Sequence, residues 1–233
     1  MTDNLDFEQT WLFKLSSCLE QVSGEQIAEQ VMAGSEKLTM DSSRADVITW
    51  SRQAMDRLDS LVDEEARREI MTGCACQVPK SDLKKARQAW EATGDLDLVH
   101  GMLQERFESF LEHALQLDEA LIQEIVARGW GLAGVRQGAT IIATKIPKSG
   151  YLVEYMRETD PEVKRRYYCH CPRIRDVLES GETLSATYCY CGAGYYKGIW
   201  EEILQQPVEV ELLESVLKGD EVCQVAVHLP LEA

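Results

Sequence analysis

The chain has 233 residues, 24 Lys and Arg against 40 Asp and Glu, and a formal net charge of −16. That length suffices for one large domain or two small ones with a real core. The acidity argues against non-specific binding to nucleic acid or anionic lipid, both of which are drawn to basic surfaces. No apolar run approaches the roughly 20 residues of a spanning helix. The acidic opening Met1–Asp6 has no basic segment followed by an apolar one, so the expectation is a soluble cytoplasmic protein without a secretory signal.

The first half carries helical periodicity. Trp11, Leu12, Leu15, Leu19 and Val22 recur at helical spacing, and Ile27, Val31 and Leu38 continue it beyond Gly24. Val47, Trp50, Ala54, Leu58 and Leu61 form a stripe entered through the caps Ser42 and Ser43. Asp63 opens a short helix stopped by Gly73; Pro79 and Ser81 open another closed by Gly94. Asp95 starts a longer one through Phe110 and Ala114, and Asp118 starts the last. The helical period stops at Gly129-Trp130-Gly131. Residues 132–137 and 140–146 read as two strands turning at Gln137-Gly138-Ala139. Residues 151–157 and 161–166 are short helices, 167–171 a strand, and 172–179 a helix begun by Pro172. Residues 192–204 form a further helix. Residues 208–217 and 222–229 form a hairpin across Lys218-Gly219-Asp220. The expected fold is α+β: a helical region, 1–128, packed on a C-terminal antiparallel-sheet domain with flanking helices, 129–233.

Eight cysteines stand out. Six form Cys74-Ala75-Cys76, Cys169-His170-Cys171 and Cys189-Tyr190-Cys191; Cys223 lies in the hairpin, and Cys18 is a stray on an apolar helix face. In a reducing compartment this usage points to metal or redox chemistry rather than a disulfide framework. Each pair lies at an element end beside Gly or Pro, and Cys189 and Cys191 enter a helix whose positive end favours thiolates. An extended Cys-x-Cys directs both sulfurs to one face. Two such pairs would supply the four sulfurs of a closed zinc site or an iron–sulfur cluster, with zinc the preferred expectation. The candidate metal ligands are Cys74, Cys76, Cys169, Cys171, Cys189, Cys191 and Cys223. Cysteines also pack as small hydrophobes, which suits Cys18. A third reading makes Cys189 or Cys191 a nucleophile with His170 as base. Tyr190, Tyr195, Tyr196 and Trp200 surround the cysteine helix as candidate ligand-binding aromatics, or as core. Gly129, Gly131, Gly134 and Gly138 follow a helix and lead into strands, the reverse of a dinucleotide-binding order.

The C-terminal 45 residues resemble the 4-vinyl reductase-type (hydrocarbon-binding) domain family. That family has a Cys-containing helix entry followed by a hairpin of the form Glu-x-x-Cys-x-x-x-Gly-x-x-x-Cys. Gly219 and Cys223 fall in place, and Cys189 matches the helix-entry cysteine of zinc-binding members. Ser215 and Leu212 occupy the first hairpin Cys position and that of the preceding acid, so two family ligands are missing here. Glu214, Cys191, Cys169 and Cys171 are the replacements within reach of the chain. Arg-Gly-Trp-Gly, Tyr-Cys-His-Cys-Pro and Tyr-Cys-Tyr-Cys-Gly-Ala-Gly also resemble an uncharacterised prokaryotic family related loosely to the 2-amino-thiazoline-4-carboxylate hydrolases. The first resemblance implies a cytosolic domain that binds a small apolar or aromatic ligand, with structural zinc in some members and often as a homodimer. The functional expectation is therefore a metal-stabilised small-molecule-binding sensor or accessory protein. The alternatives are a small-heterocycle hydrolase using a cysteine or zinc-bound water, and an iron–sulfur or thiol redox protein.

Overall fold

The computed structural model describes residues 7–39 and 41–230; the opening Met1–Asp6 lies outside the described residues. Four helices come first: α1 (Phe7–Ser23), α2 (Glu25–Met32), α3 (Arg44–Leu61) and α4 (Glu64–Gly73). Three more follow: α5 (Lys80–Thr93), α6 (Leu96–Ser109), continued by a π turn over Phe110–Ala114, and α7 (Glu119–Ala127). The strands β1 (Val135–Gln137) and β2 (Thr140–Thr144) precede the helices α8 (Leu152–Arg157), α9 (Pro161–Tyr168), α10 (Pro172–Ser180) and α11 (Tyr190–Leu204). The strands β3 (Glu209–Glu214) and β4 (Gln224–His228) end the fold. The class is α+β, as the change of periodicity beyond residue 128 indicates.

The helix starts follow the expected caps. Ser43, Asp63, Asp95 and Asp118 each accept a backbone N–H of the first turn they open. A cap of this kind is worth about 1 kcal/mol, because it satisfies a donor that the helix itself leaves unpaired. Gly94 closes α5 at φ 62°. One expected element differs. Residues 167–171 are not a strand: α9 runs on to Tyr168, and Cys169–Cys171 follow in irregular backbone. Tyr168 holds the helix end, since its ring is fully buried and its hydroxyl donates to the Lys145 carbonyl and accepts from Cys223 N at 2.8 Å. Its own carbonyl accepts from Lys148 N at 3.0 Å. Burial of an aromatic body with a fully satisfied polar tip outweighs the strand preference of two adjacent tyrosines.

The chain forms two compact units, each built from two stretches of sequence. Unit 1 comprises residues 1–76 and 169–194, and unit 2 residues 77–168 and 195–233. Unit 1 is helical. Its core includes Leu15 and Leu19 of α1, Ala54, Met55 and Leu58 of α3, Ile70 and Met71 of α4, and Ile174 and Val177 of α10. Unit 2 holds the sheet, in the order β1-β2-β4-β3 with every neighbouring pair antiparallel. Ile141 pairs with Val227 and Ala143 with Val225; on the other edge of β4, Val210 pairs with Val227. Ile141, Ala143, Val225 and Val227 are buried and share one face at the two-residue period of a strand. The β3–β4 register shifts between Leu212 and Glu214, where the strand bends into the turn that Gly219 completes at φ 94°. No helix among the described residues is long and apolar enough to cross a membrane.

Candidate functional site

Seven of the eight cysteines belong to unit 1: Cys18, Cys74, Cys76, Cys169, Cys171, Cys189 and Cys191. Cys223 belongs to unit 2, where its backbone N–H holds the Tyr168 hydroxyl, and burial pushes its thiol pKa up.

The closest grouping starts on α1. Trp11, Leu12, Leu15 and Leu19 make the buried face, and Lys14 and Cys18, one helical turn apart, flank it half-buried. The end of α4 receives them. Lys14 Nζ donates to the Ala75 carbonyl at 2.9 Å, and the Cys18 sulfur lies over Gly73, so close that a Cβ there would fall 2.6 Å from it. Gly73 thus gives the sulfur its place, and the next residue, Cys74, shares a side-chain hydrogen bond with it. Cys18 is therefore not the buried small hydrophobe expected from the sequence; its thiol is half of a pair.

The two sulfurs titrate as a unit. Cys74 caps α4, is fully buried, and has its Sγ 3.1 Å from the Ile70 carbonyl. Its single proton serves that carbonyl or the Cys18 sulfur. When Cys18 ionises, the proton turns to the thiolate, and this hydrogen bond lowers Cys18 from the ordinary 9.0 to about 7. Lys14 lowers it further, while partial burial and Glu69 oppose. Cys74 moves the other way: its bond to Cys18, its burial and the neighbouring charge raise its pKa far above the thiol range. The carbonyls at the C-terminal end of α4 disfavour a second negative charge. The pair accordingly loses one proton near neutrality, from Cys18, and retains the other on Cys74.

A third sulfur approaches from the start of α11. Gly194 meets the end of α4 so closely that a Cβ would lie 2.0 Å from the Thr72 carbonyl oxygen. This backbone contact seats the first turn of α11, and the Cys191 thiol donates to the Cys74 carbonyl at 3.8 Å. Cys191 also interacts electrostatically with Cys74. Gly192, two residues earlier, has open space where its Cβ would be.

The Cys-x-Cys pairs differ from one another in exposure and backbone. Cys74 is buried and Cys76 exposed. Cys189 ends a 3-10 turn over Ala186–Cys189 and Cys191 lies in the first turn of α11, so helical backbone splays their side chains where an extended strand would align them. Cys169 is buried and Cys171 half-buried, the latter with its sulfur 3.6 Å from the Tyr188 hydroxyl. His170 sits between them in irregular backbone. Among the described residues, no group of three or more His, Cys, Asp and Glu side chains is disposed to hold a metal ion.

Beside Cys171 lies a buried charge network. Arg173 has no exposed surface; it donates to the Tyr188 hydroxyl at 3.1 Å and to Glu8, and its guanidinium sits 4.1 Å over the Trp11 ring. Trp11 stacks on Tyr188 at 5.3 Å. Arg44 joins Glu8 at 2.9 Å to Asp176 at 2.6 Å. These contacts tie α1, α3, α10 and the turn before Cys189 together. Of the candidate ligand-binding aromatics, Tyr190 lies in unit 1 with Arg68 5.5 Å from its ring centroid. Tyr195, Tyr196 and Trp200 lie in unit 2. There Tyr196 and Trp200 are core residues, Trp200 without exposed surface and Tyr196 edge-on to Tyr195 at 5.5 Å.

No curated protein and no solved structure matches the chain. Residues 148–231 match the model of a family described as a family of unknown function (DUF6144), a stretch that includes Cys169, Cys171, Cys189, Cys191 and Cys223 but neither Cys18 nor Cys74.

Proposed function

We propose that this is a thiol redox protein that exchanges disulfides with low-molecular-weight disulfide compounds through Cys18 and Cys74. The observation that carries the reading is the seating of the Cys18 sulfur over Gly73, beside Cys74, with one sulfur half-buried and the other fully buried. The partly exposed sulfur is the one that ionises near neutrality, as a nucleophilic thiolate must. Cys18 attacks one sulfur of the substrate disulfide, and the first thiolate leaves. Cys74 then releases its proton and attacks the Cys18 sulfur of the mixed disulfide, expelling the second thiolate. The substrate gains two electrons and becomes two thiols; the protein loses two and gains the Cys18–Cys74 bond. Half-burial of Cys18 and full burial of Cys74 favour a small substrate over a protein disulfide.

The test is reaction of the reduced, full-length protein with glutathione disulfide. Wild type is expected to release two glutathione thiols per chain and to contain the Cys18–Cys74 bond. Cys74→Ser should release one and stop as a Cys18 mixed disulfide, and Cys18→Ser should lose this reaction. A reduced chain that purifies with about one zinc per chain, its Cys18 unreactive until a chelator is added, would overturn the reading in favour of a metal-stabilised ligand-binding module.

A further inference from the structure

Cys74 has thiol neighbours on two elements, Cys18 on α1 and Cys191 on α11. A dithiol exchange uses one of them. We infer that Cys191 is the third sulfur of the site and takes over the disulfide, converting Cys18–Cys74 into Cys74–Cys191 and returning Cys18 to its reduced form. This rests on the dithiol reading above and names a further reacting residue for it.

The geometry supports the transfer. The Gly194–Thr72 backbone contact anchors the first turn of α11 against the end of α4, and the Cys191 thiol already touches the carbonyl of Cys74 itself. The Cys74 backbone lies at the very end of α4, so its side chain sits between the α1 and α11 thiols. In the step, the Cys191 thiol gives its proton to solvent and its sulfur attacks Cys74 Sγ. The Cys74–Cys191 bond forms, the Cys18–Cys74 bond breaks, and the electron pair departs on Cys18. No external oxidant or reductant is consumed, because one disulfide replaces another. Attack at Cys74 Sγ makes Cys18 the sulfur that departs, and it takes up a proton from solvent. The outcome stores the oxidation in a pair joining the end of α4 to the start of α11 and leaves Cys18 reduced.

Disulfide mapping of the full-length protein tests this. Cys76→Ser and Cys189→Ser are introduced so that the tryptic peptides 15–37, 69–80 and 176–197 each hold one cysteine. The protein is oxidised with glutathione disulfide, remaining thiols are alkylated at successive times, and unreduced peptides are identified by mass. The wild-type chain, mapped in parallel by fragmenting the same peptides, checks that the two substitutions leave the sulfur order unchanged. The expected course is early linkage of 15–37 to 69–80, then its replacement by linkage of 69–80 to 176–197, with Cys18 becoming alkylable again. With Cys191→Ser added, the first linkage should accumulate and persist. A Cys18–Cys74 bond that persists with Cys191 present overturns the inference and leaves the dithiol reading standing. Formation of Cys74–Cys191 at an undiminished rate in Cys18→Ser also overturns it, since no transfer is then needed. If neither a Cys18 mixed disulfide nor the Cys18–Cys74 bond ever forms, both proposals fall.

Discussion

Removing the Cys74 proton donor should slow Cys18 at neutral pH and accelerate it in alkali. In the wild-type protein, Cys18 ionises at about 7 because Cys74 donates to its thiolate. Cys74→Ala deletes that donor and returns Cys18 towards 9.0. At pH 7 the thiolate fraction then falls from about one half to about 1%, roughly 50-fold, while the more basic thiolate is about 8-fold more nucleophilic at a Brønsted slope of about 0.45. The net loss is about 6-fold at pH 7, the two profiles cross near pH 8, and by about pH 10 the variant is roughly 7-fold faster. The assay is alkylation by iodoacetamide, read by mass spectrometry on the peptide 15–37. Cys74→Ser keeps an O–H donor at the same place and should keep the midpoint near the wild-type value. A wild-type midpoint at the ordinary thiol value refutes the reasoning. So does an alanine variant whose profile overlays the wild type, because another group would then be stabilising the thiolate.

Three further outcomes are expected. Arg173→Ala leaves Glu8 without its fully buried partner and the Tyr188 hydroxyl without its guanidinium donor. Such losses cost about 3–5 kcal/mol, and Arg44, which also holds Glu8, keeps this one near about 3; a fall in Tm of about 6–12 °C by thermal melting is the check. Gly194→Ala drives a methyl into the Thr72 carbonyl and should cost about 3 kcal/mol or more, whereas Gly192→Ala, facing open space, should be neutral to about 1 kcal/mol stabilising; urea midpoints compare the two. Glu221 is held below 4.5 by Lys164 Nζ at 2.6 Å and by the Tyr155 hydroxyl. The unfolded chain therefore binds its proton first as pH falls, and the stabilisation present above 4.5 is lost as pH drops through the lower folded value. Glu221→Gln should flatten that part of the stability profile, seen as a smaller drop in urea midpoint between neutral pH and pH 3.

The elements were legible in the chain because their causes are local. A cap at Asp63, Asp95 or Asp118 needs only the backbone N–H groups two or three residues on, and the β3–β4 hairpin needs only alternation and a glycine turn. The cysteine pairs were legible as an anomaly, but for Cys189 and Cys191 the spacing suggested an extended backbone that the fold does not use. Extended backbone aligns residues two apart, and helical backbone at Cys189 and Cys191 does not. Cys18 looked like filler because Leu15, Leu19 and Val22 share its side of the helix; its actual neighbour in space stands 56 residues later.

The sequence by itself determined the α+β class, most of the helix starts, the hairpin and the unusual load of sulfur, since each depends on neighbours within a few positions. Only the tertiary structure decided which sulfurs meet. Cys18 reaches Cys74 because Gly73 has no side chain to exclude it, and Cys191 reaches the same cysteine because Gly194 lets two backbones touch. A glycine marks in the chain where a close approach is permitted. Which element makes that approach is settled by the packing of α1, α4 and α11, and with it which thiol holds the proton.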